Sequence, residues 1–156
     1  MTPFLTHLDR DALAALGIQG WSFGYADRVR FGELDALNHV NNTVFLRWFE
    51  TLRVAYIQNY GFTNYGPGDP MMVVRRVTAD YHAPMFQNET YVLTARTRSI
   101  KTSSFVMEYG AFVDGTLRAS GEAVVISLMD DGKTRRAHLA DAVAAVVARD
   151  GALQEG

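Results

Sequence analysis

Between Asp35 and Asn42 the chain gathers one carboxylate (Asp35), one imidazole (His39) and three carboxamides (Asn38, Asn41 and Asn42) within eight residues. The surrounding run, Phe31-Gly-Glu-Leu-Asp-Ala-Leu-Asn-His-Val-Asn-Asn-Thr-Val-Phe-Leu-Arg-Trp-Phe-Glu50, starts as the end of an alternating strand. It then crosses a short polar loop and enters a strongly apolar helix. A helix N-terminus offers unpaired N–H groups and a partial positive charge. A carboxylate beside such an end suits acyl chemistry, with a base or nucleophile on one side and oxyanion donors on the other.

Those residues need elements to hold them. Trp21, Phe23, Tyr25, Val29 and Phe31 recur at every second position, interrupted by Asp27, and predict a half-buried strand. The helix is expected from about Asn42 to Tyr60, with Gly61 as its stop. Phe45, Trp48, Phe49, Leu52, Ala55 and Tyr56 form its apolar stripe, widened by Val44, Val54 and Ile57. Arg47, Glu50 and Arg53 are left for its polar face, where Glu50 is expected to pair with Arg47 or Arg53. After a loop from Phe62 to Pro70 the pattern changes to period two. Met71–His82, Thr90–Ser99, Ser104–Val113 and Thr116–Leu128 read as strands, the last two joined by a tight turn at Asp114-Gly115. Thr6–Gly17 reads as a short capped helix and His138–Arg149 as an amphipathic one, with frayed residues after it. A strand, a long buried helix and four consecutive strands imply one α+β domain over residues 1–156, its sheet curled around a central helix.

Bulk properties narrow the function. A chain of 156 residues with 48% apolar content buries roughly 70% of its unfolded surface. Fifteen basic against seventeen acidic residues exert no pull toward nucleic acid, and no apolar stretch approaches a membrane span. The absence of cysteine excludes a thiol nucleophile, a disulfide framework and a thiolate metal site. Met1–Gly20 lacks the features of a signal peptide, so a cytoplasmic location is expected. His7, His82 and His138 are dispersed without metal-ligand spacing, which argues against a metal site. No serine-nucleophile elbow, phosphate loop or dinucleotide fingerprint occurs, and no cofactor is expected.

Asp35-x-x-x-His39-Val40-Asn41-Asn42, followed by an aromatic helix carrying Trp48-Phe49-Glu50 and Arg53, resembles the hotdog-fold thioesterases. The nearest groups are the 4-hydroxybenzoyl-CoA thioesterase-like acyl-CoA thioesterases and the acyl-carrier-protein thioesterases. The resemblance is strong over about Val29–Gly61 and extends as strand order over most of the chain. It implies the hotdog fold, a homodimer or homotetramer, and an acyl-CoA or acyl-carrier-protein thioester as substrate. It also implies Asp35 as general base or nucleophile and the backbone N–H of Asn42 as oxyanion donor. The carrier-protein enzymes use the histidine at position 39 as well. They also place an asparagine where this chain has Leu37, so His39 stands open between a catalytic and a structural role.

The other candidates carry a bland reading beside the functional one. Asn41 and Asn42 are good helix N-caps, and capping by either leaves the N–H groups of Asn42 or Thr43 free to face a thioester oxygen. Glu33 reads as solvated. Arg98, Lys101, Ser103 and Ser104 form either an ordinary strand–turn–strand junction or a cradle for coenzyme A phosphates. Arg75, Arg76, Arg135 and Arg136 are rival cradles. Phe45, Trp48, Phe49 and Tyr56, with Met71, Met72, Phe105 and Met107, divide between filling the core and lining an acyl slot. Two rival functions share the fold. One is a non-catalytic acyl-thioester binding protein, the other a hotdog dehydratase or hydratase.

Overall fold

The structure, a computed structural model, describes residues 1–156. In chain order the elements are α1 (Arg10–Ala15), β1 (Gly24–Arg28), a 3₁₀ turn (Phe31–Glu33), α2 (Asn42–Asn59) and β2 (Met71–Tyr81). They continue with β3 (Thr90–Ile100), β4 (Ser104–Val113), β5 (Thr116–Leu128), α3 (Ala140–Asp150) and β6 (Leu153–Gln154). The class is α+β. The strands form one sheet in the order β1-β3-β4-β5-β2, with the short β6 beside β3.

Local chemistry sets most boundaries. α2 starts where the Asn41 side-chain oxygen accepts the backbone N–H of Thr43 at 2.9 Å, and it stops at Gly61, whose φ of 84° suits a residue without Cβ. Asp114 and Gly115 both have positive φ (50° and 75°), as the two-residue turn between β4 and β5 requires.

Three expectations are corrected. The first strand ends early, at Arg28. Glu33 turns back to accept the N–H of Arg30 on its side chain (2.8 Å), the 3₁₀ turn begins, and Phe31 is left 76% exposed. Arg53 does not lie on a polar helix face. It is buried and donates to the Tyr109 hydroxyl at 3.1 Å, with Glu50 at 3.9 Å as its ion-pair partner. The C-terminal residues are not frayed, because Leu153 and Gln154 pair in parallel with Ser99 and Ile100.

Contacts divide the chain into two compact units. The first comprises Met1–Arg53, Ala79–Ala95 and Tyr109–Gly121. In it the first half of α2 packs its aromatics on strand tyrosines. Trp48 stacks on Tyr91 at 4.1 Å, Phe49 on Tyr109 at 4.9 Å, and Phe45 meets Tyr81 edge-on at 5.4 Å. A separate cluster of Leu8, Leu13, Ile18, Trp21, Ala26 and Val92 seats α1. Each large side chain so buried contributes about 1.5–3 kcal/mol.

The second unit comprises Val54–Thr78, Arg96–Glu108 and Glu122–Gly156. Here Tyr56 stacks on Tyr60 at 4.0 Å and Phe62 on Phe105 at 4.2 Å, while Val146 of α3 is fully buried. The Tyr56 and Tyr60 hydroxyls both donate to the Asp150 carboxylate, which also accepts the backbone N–H of Thr97 at 2.9 Å. Strand β2 is an edge of the sheet, and Met71, Val73, Val74, Val77 and Tyr81 along it are all exposed.

Candidate active site

Residues 34–41 form a closed loop built largely from their own backbone. Leu34 and Val40 bridge its neck, and the N–H of Asp35 donates to the His39 carbonyl at 2.9 Å. The N–H of Asn38 donates to the Asp35 carbonyl at 3.0 Å, with Asn38 itself at φ 60°. Asparagine tolerates that left-handed conformation better than most residues, which explains its place at the bend. Asp35 Oδ1 accepts the N–H of Leu37 at 2.9 Å, closing an Asx turn. The other carboxylate oxygen has no partner within the chain. The turn role and an acid–base role are therefore compatible in one side chain.

The first turn of α2 adjoins this loop. Of its donors, the Asn41 N–H goes to the Glu33 carbonyl (2.9 Å), the Thr43 N–H to the Asn41 side chain (2.9 Å) and the Val44 N–H to the Asn41 carbonyl (2.9 Å). The Asn42 N–H is the one left over, as it has no acceptor within the helix. Asn41 is thus the cap, and its side chain also accepts the Thr43 hydroxyl at 2.9 Å.

Asp35, His39 and Asn42 line a single cavity of about 350 Å³. Its remaining walls are Val40 and Phe45 and the consecutive residues from Tyr81, the last of β2, through His82, Ala83 and Pro84 to Met85. The Tyr81 hydroxyl donates to the Asn42 carbonyl at 2.7 Å and ties that wall to the helix. His39 meets Phe86 edge-on at 5.2 Å, and His82 lies 2.9 Å from the Ser120 hydroxyl. A half-buried carboxylate and an imidazole around one opening, with the first residue of a helix in its wall, suit activation of water or attack on a carbonyl, with the helix N-terminus as a site for the charge that develops on its oxygen.

Arg98, Lys101, Ser103 and Ser104 belong to the second unit and do not line this cavity. Arg98 is paired with Glu122 at 2.8 Å. Ser103 accepts from Arg135 at 3.0 Å, so two groups read as rival cradles are in contact with each other. Of the aromatics and methionines considered for an acyl slot, Phe45 alone lines the cavity, while Trp48, Phe49, Tyr56, Phe105 and Met107 are buried core.

Sequence reasoning missed two parts of the site. The wall from Tyr81 to Met85 comes from a strand end some forty positions downstream, and only the period-two pattern ending near His82 marks it. Glu33 is half-buried rather than solvated, and accepts the Trp48 indole N–H at 2.7 Å. No group of three histidine, aspartate or glutamate side chains is placed to hold a metal ion, and no helix is long and apolar enough to cross a membrane.

The sequence pattern of the family described as thioesterase-like superfamily matches residues 29–147, most of the chain and all of the loop and helix just described. The chain belongs to the thioesterase-like superfamily. A solved thioesterase-superfamily protein from Jannaschia sp. CCS1 is 40% identical, with a TM-score of 0.96 over 99% of this chain and 100% of that one. The fold is accordingly the hotdog fold, an antiparallel sheet with a central helix. A thioesterase from Thermus thermophilus, solved in complex with coenzyme A and zinc, is 28% identical, with a TM-score of 0.71 over 86% of this superfamily member and 98% of its own chain. An uncharacterized Bacillus subtilis (strain 168) protein, YsmA, is 26% identical over 115 residues, 70% of this chain and 78% of its own.

Proposed function

We propose that this thioesterase-superfamily protein, acting as a single domain, hydrolyses an acyl-CoA or acyl-carrier-protein thioester to the free acid and thiol. The observation that carries this is that Asp35 and Asn42, whose N–H has no acceptor in the chain, line one cavity. Asp35 takes a proton from water as it adds to the thioester carbonyl, or attacks that carbonyl itself to give an anhydride that water then opens. In both routes the carbonyl oxygen gains charge facing the helix N-terminus, and the thiolate leaves. His39 is a second catalytic group or a brace for the loop, and His39→Ala assigns it by whether turnover or thermal stability falls first. Coenzyme A as the carrier finds support in the Thermus thermophilus relative.

Val40, Phe45, Pro84 and Met85 make part of the cavity wall apolar, which favours an apolar acyl chain or ring. Each buried methylene is worth about 0.8 kcal/mol, so kcat/KM should rise several-fold per added carbon until the cavity is full. Thiol release from acetyl- through palmitoyl-CoA, with benzoyl- and phenylacetyl-CoA alongside, measures this. No release from any of them, or a preference for acetyl-CoA, would refute the reading.

The enzyme is a homodimer or homotetramer in this reading. Edge strand β2 presents unpaired backbone flanked by exposed Met71, Val73, Val74 and Val77, an edge that natural proteins pair or cover. Light scattering at micromolar concentration should return a multiple of the 17.3 kDa chain, and a monomer there argues against it.

A further inference from the structure

We infer that Glu33 is a positioning residue, one that sets where the Asp35 loop stands relative to the first turn of α2; the catalytic consequence rests on the function proposed above. Glu33 uses three oxygens on three different pieces of chain. Its Oε1 accepts the N–H of Arg30, where the chain enters the loop, at 2.8 Å. Its Oε2 accepts the indole N–H of Trp48, inside α2, at 2.7 Å. Its carbonyl accepts the N–H of Asn41, the helix cap, at 2.9 Å.

Both ends of this bracket are themselves held. Arg30 is bonded through two nitrogens to the buried Asp27 of β1, each at 3.1 Å. Trp48 is buried, stacked on Tyr91 and edge-on to Phe45 at 5.1 Å, so its indole is a fixed donor that the loop must meet. Asp35 lies two residues after Glu33, and the loop closes again at Asn41 on Glu33's own carbonyl. Carboxylate-to-indole bonding is charge-assisted and directional. The separation between Asp35 and the Asn42 N–H is therefore set by Glu33, and misplacement of such a pair by an ångström costs about a hundredfold in rate. Glu33 itself does not line the cavity.

The test compares wild type with Glu33→Ala and Glu33→Gln. Glu33→Ala should lower kcat by about 10–10²-fold with KM nearly unchanged. Glu33→Gln keeps one acceptor oxygen but turns its NH₂ against either the Arg30 N–H or the Trp48 indole, so it should recover only part of that loss, with an unaltered pH–rate profile. Equal kcat for Glu33→Ala and wild type, both folded, would overturn the inference. So would a Glu33→Gln as impaired as Glu33→Ala that has also lost a limb of the pH profile, since Glu33 would then be moving the proton. Amide NMR spectra provide a readout independent of turnover. Glu33→Ala should move the Trp48 indole resonance and the amides of residues 35–42, and changes confined to residue 33 and its neighbours would refute the bracket. If wild type cleaves no thioester, the proposed function fails and the spectra alone still decide on Glu33.

Discussion

At the start of α2, Asp35 keeps one carboxylate oxygen without a partner and Asn42 keeps its N–H, and both residues line one cavity. Near the other end of the same helix, Asp150 accepts from Tyr56, Tyr60 and the Thr97 amide at once. Burial and the negative Asp150 nearby hold the Tyr56 hydroxyl well above the usual phenol range, so it stays protonated as a donor. The two carboxylates are chemically alike, and their surroundings divide their work. A carboxylate whose oxygens are all engaged fastens one element to another. One kept partly unengaged beside a cavity can react.

The largest effect expected from this contrast is at the open end. Asp35→Asn is nearly isosteric, keeps an oxygen for the Leu37 turn, and cannot take a proton or attack a carbonyl. Turnover should fall by roughly 10²–10⁴-fold with the melting temperature little changed, measured by thiol release and thermal denaturation. Retained activity would mean that the unpartnered carboxylate was misread.

At the closed end the pattern inverts. In Asp150→Asn one carboxylate oxygen becomes an NH₂ group facing a donor, whichever way the amide turns. The cost should be about 2–3 kcal/mol, or roughly 4–12 °C in melting temperature, with kcat preserved well below the transition. A rate loss without a stability loss would erase the distinction between the two ends.

The smallest effect concerns His138, which meets the stacked pair Phe62 and Phe105 edge-on at 5.3 and 5.5 Å in the second unit. Burial lowers its pKa below the ordinary 6.5. Below that value the unfolded chain binds a proton that the folded one does not. Stability is complete above about 6.5 and is lost as pH falls toward the folded value. Melting temperatures between pH 7.5 and 5 should decline less for His138→Phe than for wild type, and identical slopes would remove His138 from the account.

What was readable in the sequence tracks how local its cause is. An asparagine cap on α2 (Asn41, one of the two candidates), Gly61 ending the helix and Asp114-Gly115 turning β4 into β5 depend on neighbours within a few positions, and the spacing marks each of them. The loop and helix of the site are local too, so Asp35, His39 and Asn42 were legible as a group. Glu33 and Arg53 were not. Their partners, Trp48 and Tyr109, lie 15 and 56 positions away, and an isolated charge on a period-breaking position looks solvated until such a partner is known. The Tyr81–Met85 wall and the pairing of β6 with β3 depend on sheet topology, which periodicity does not encode.

The strand order carries a consequence for how the chain assembles. β3, β4 and β5 follow one another through short turns and lie side by side, so they pair with little loop to close. β2 is made before all three, yet its partner is β5, the last of them; β1 likewise waits for β3. The meander in the middle is therefore expected to form first, with the two outer strands docking onto it afterwards. Until β5 is complete, the apolar run Met71-Met-Val-Val74 has no neighbour in its own chain. That interval is when newly made copies are most exposed to pairing wrongly with one another, and slowing the meander should raise aggregation during refolding more than slowing any other step.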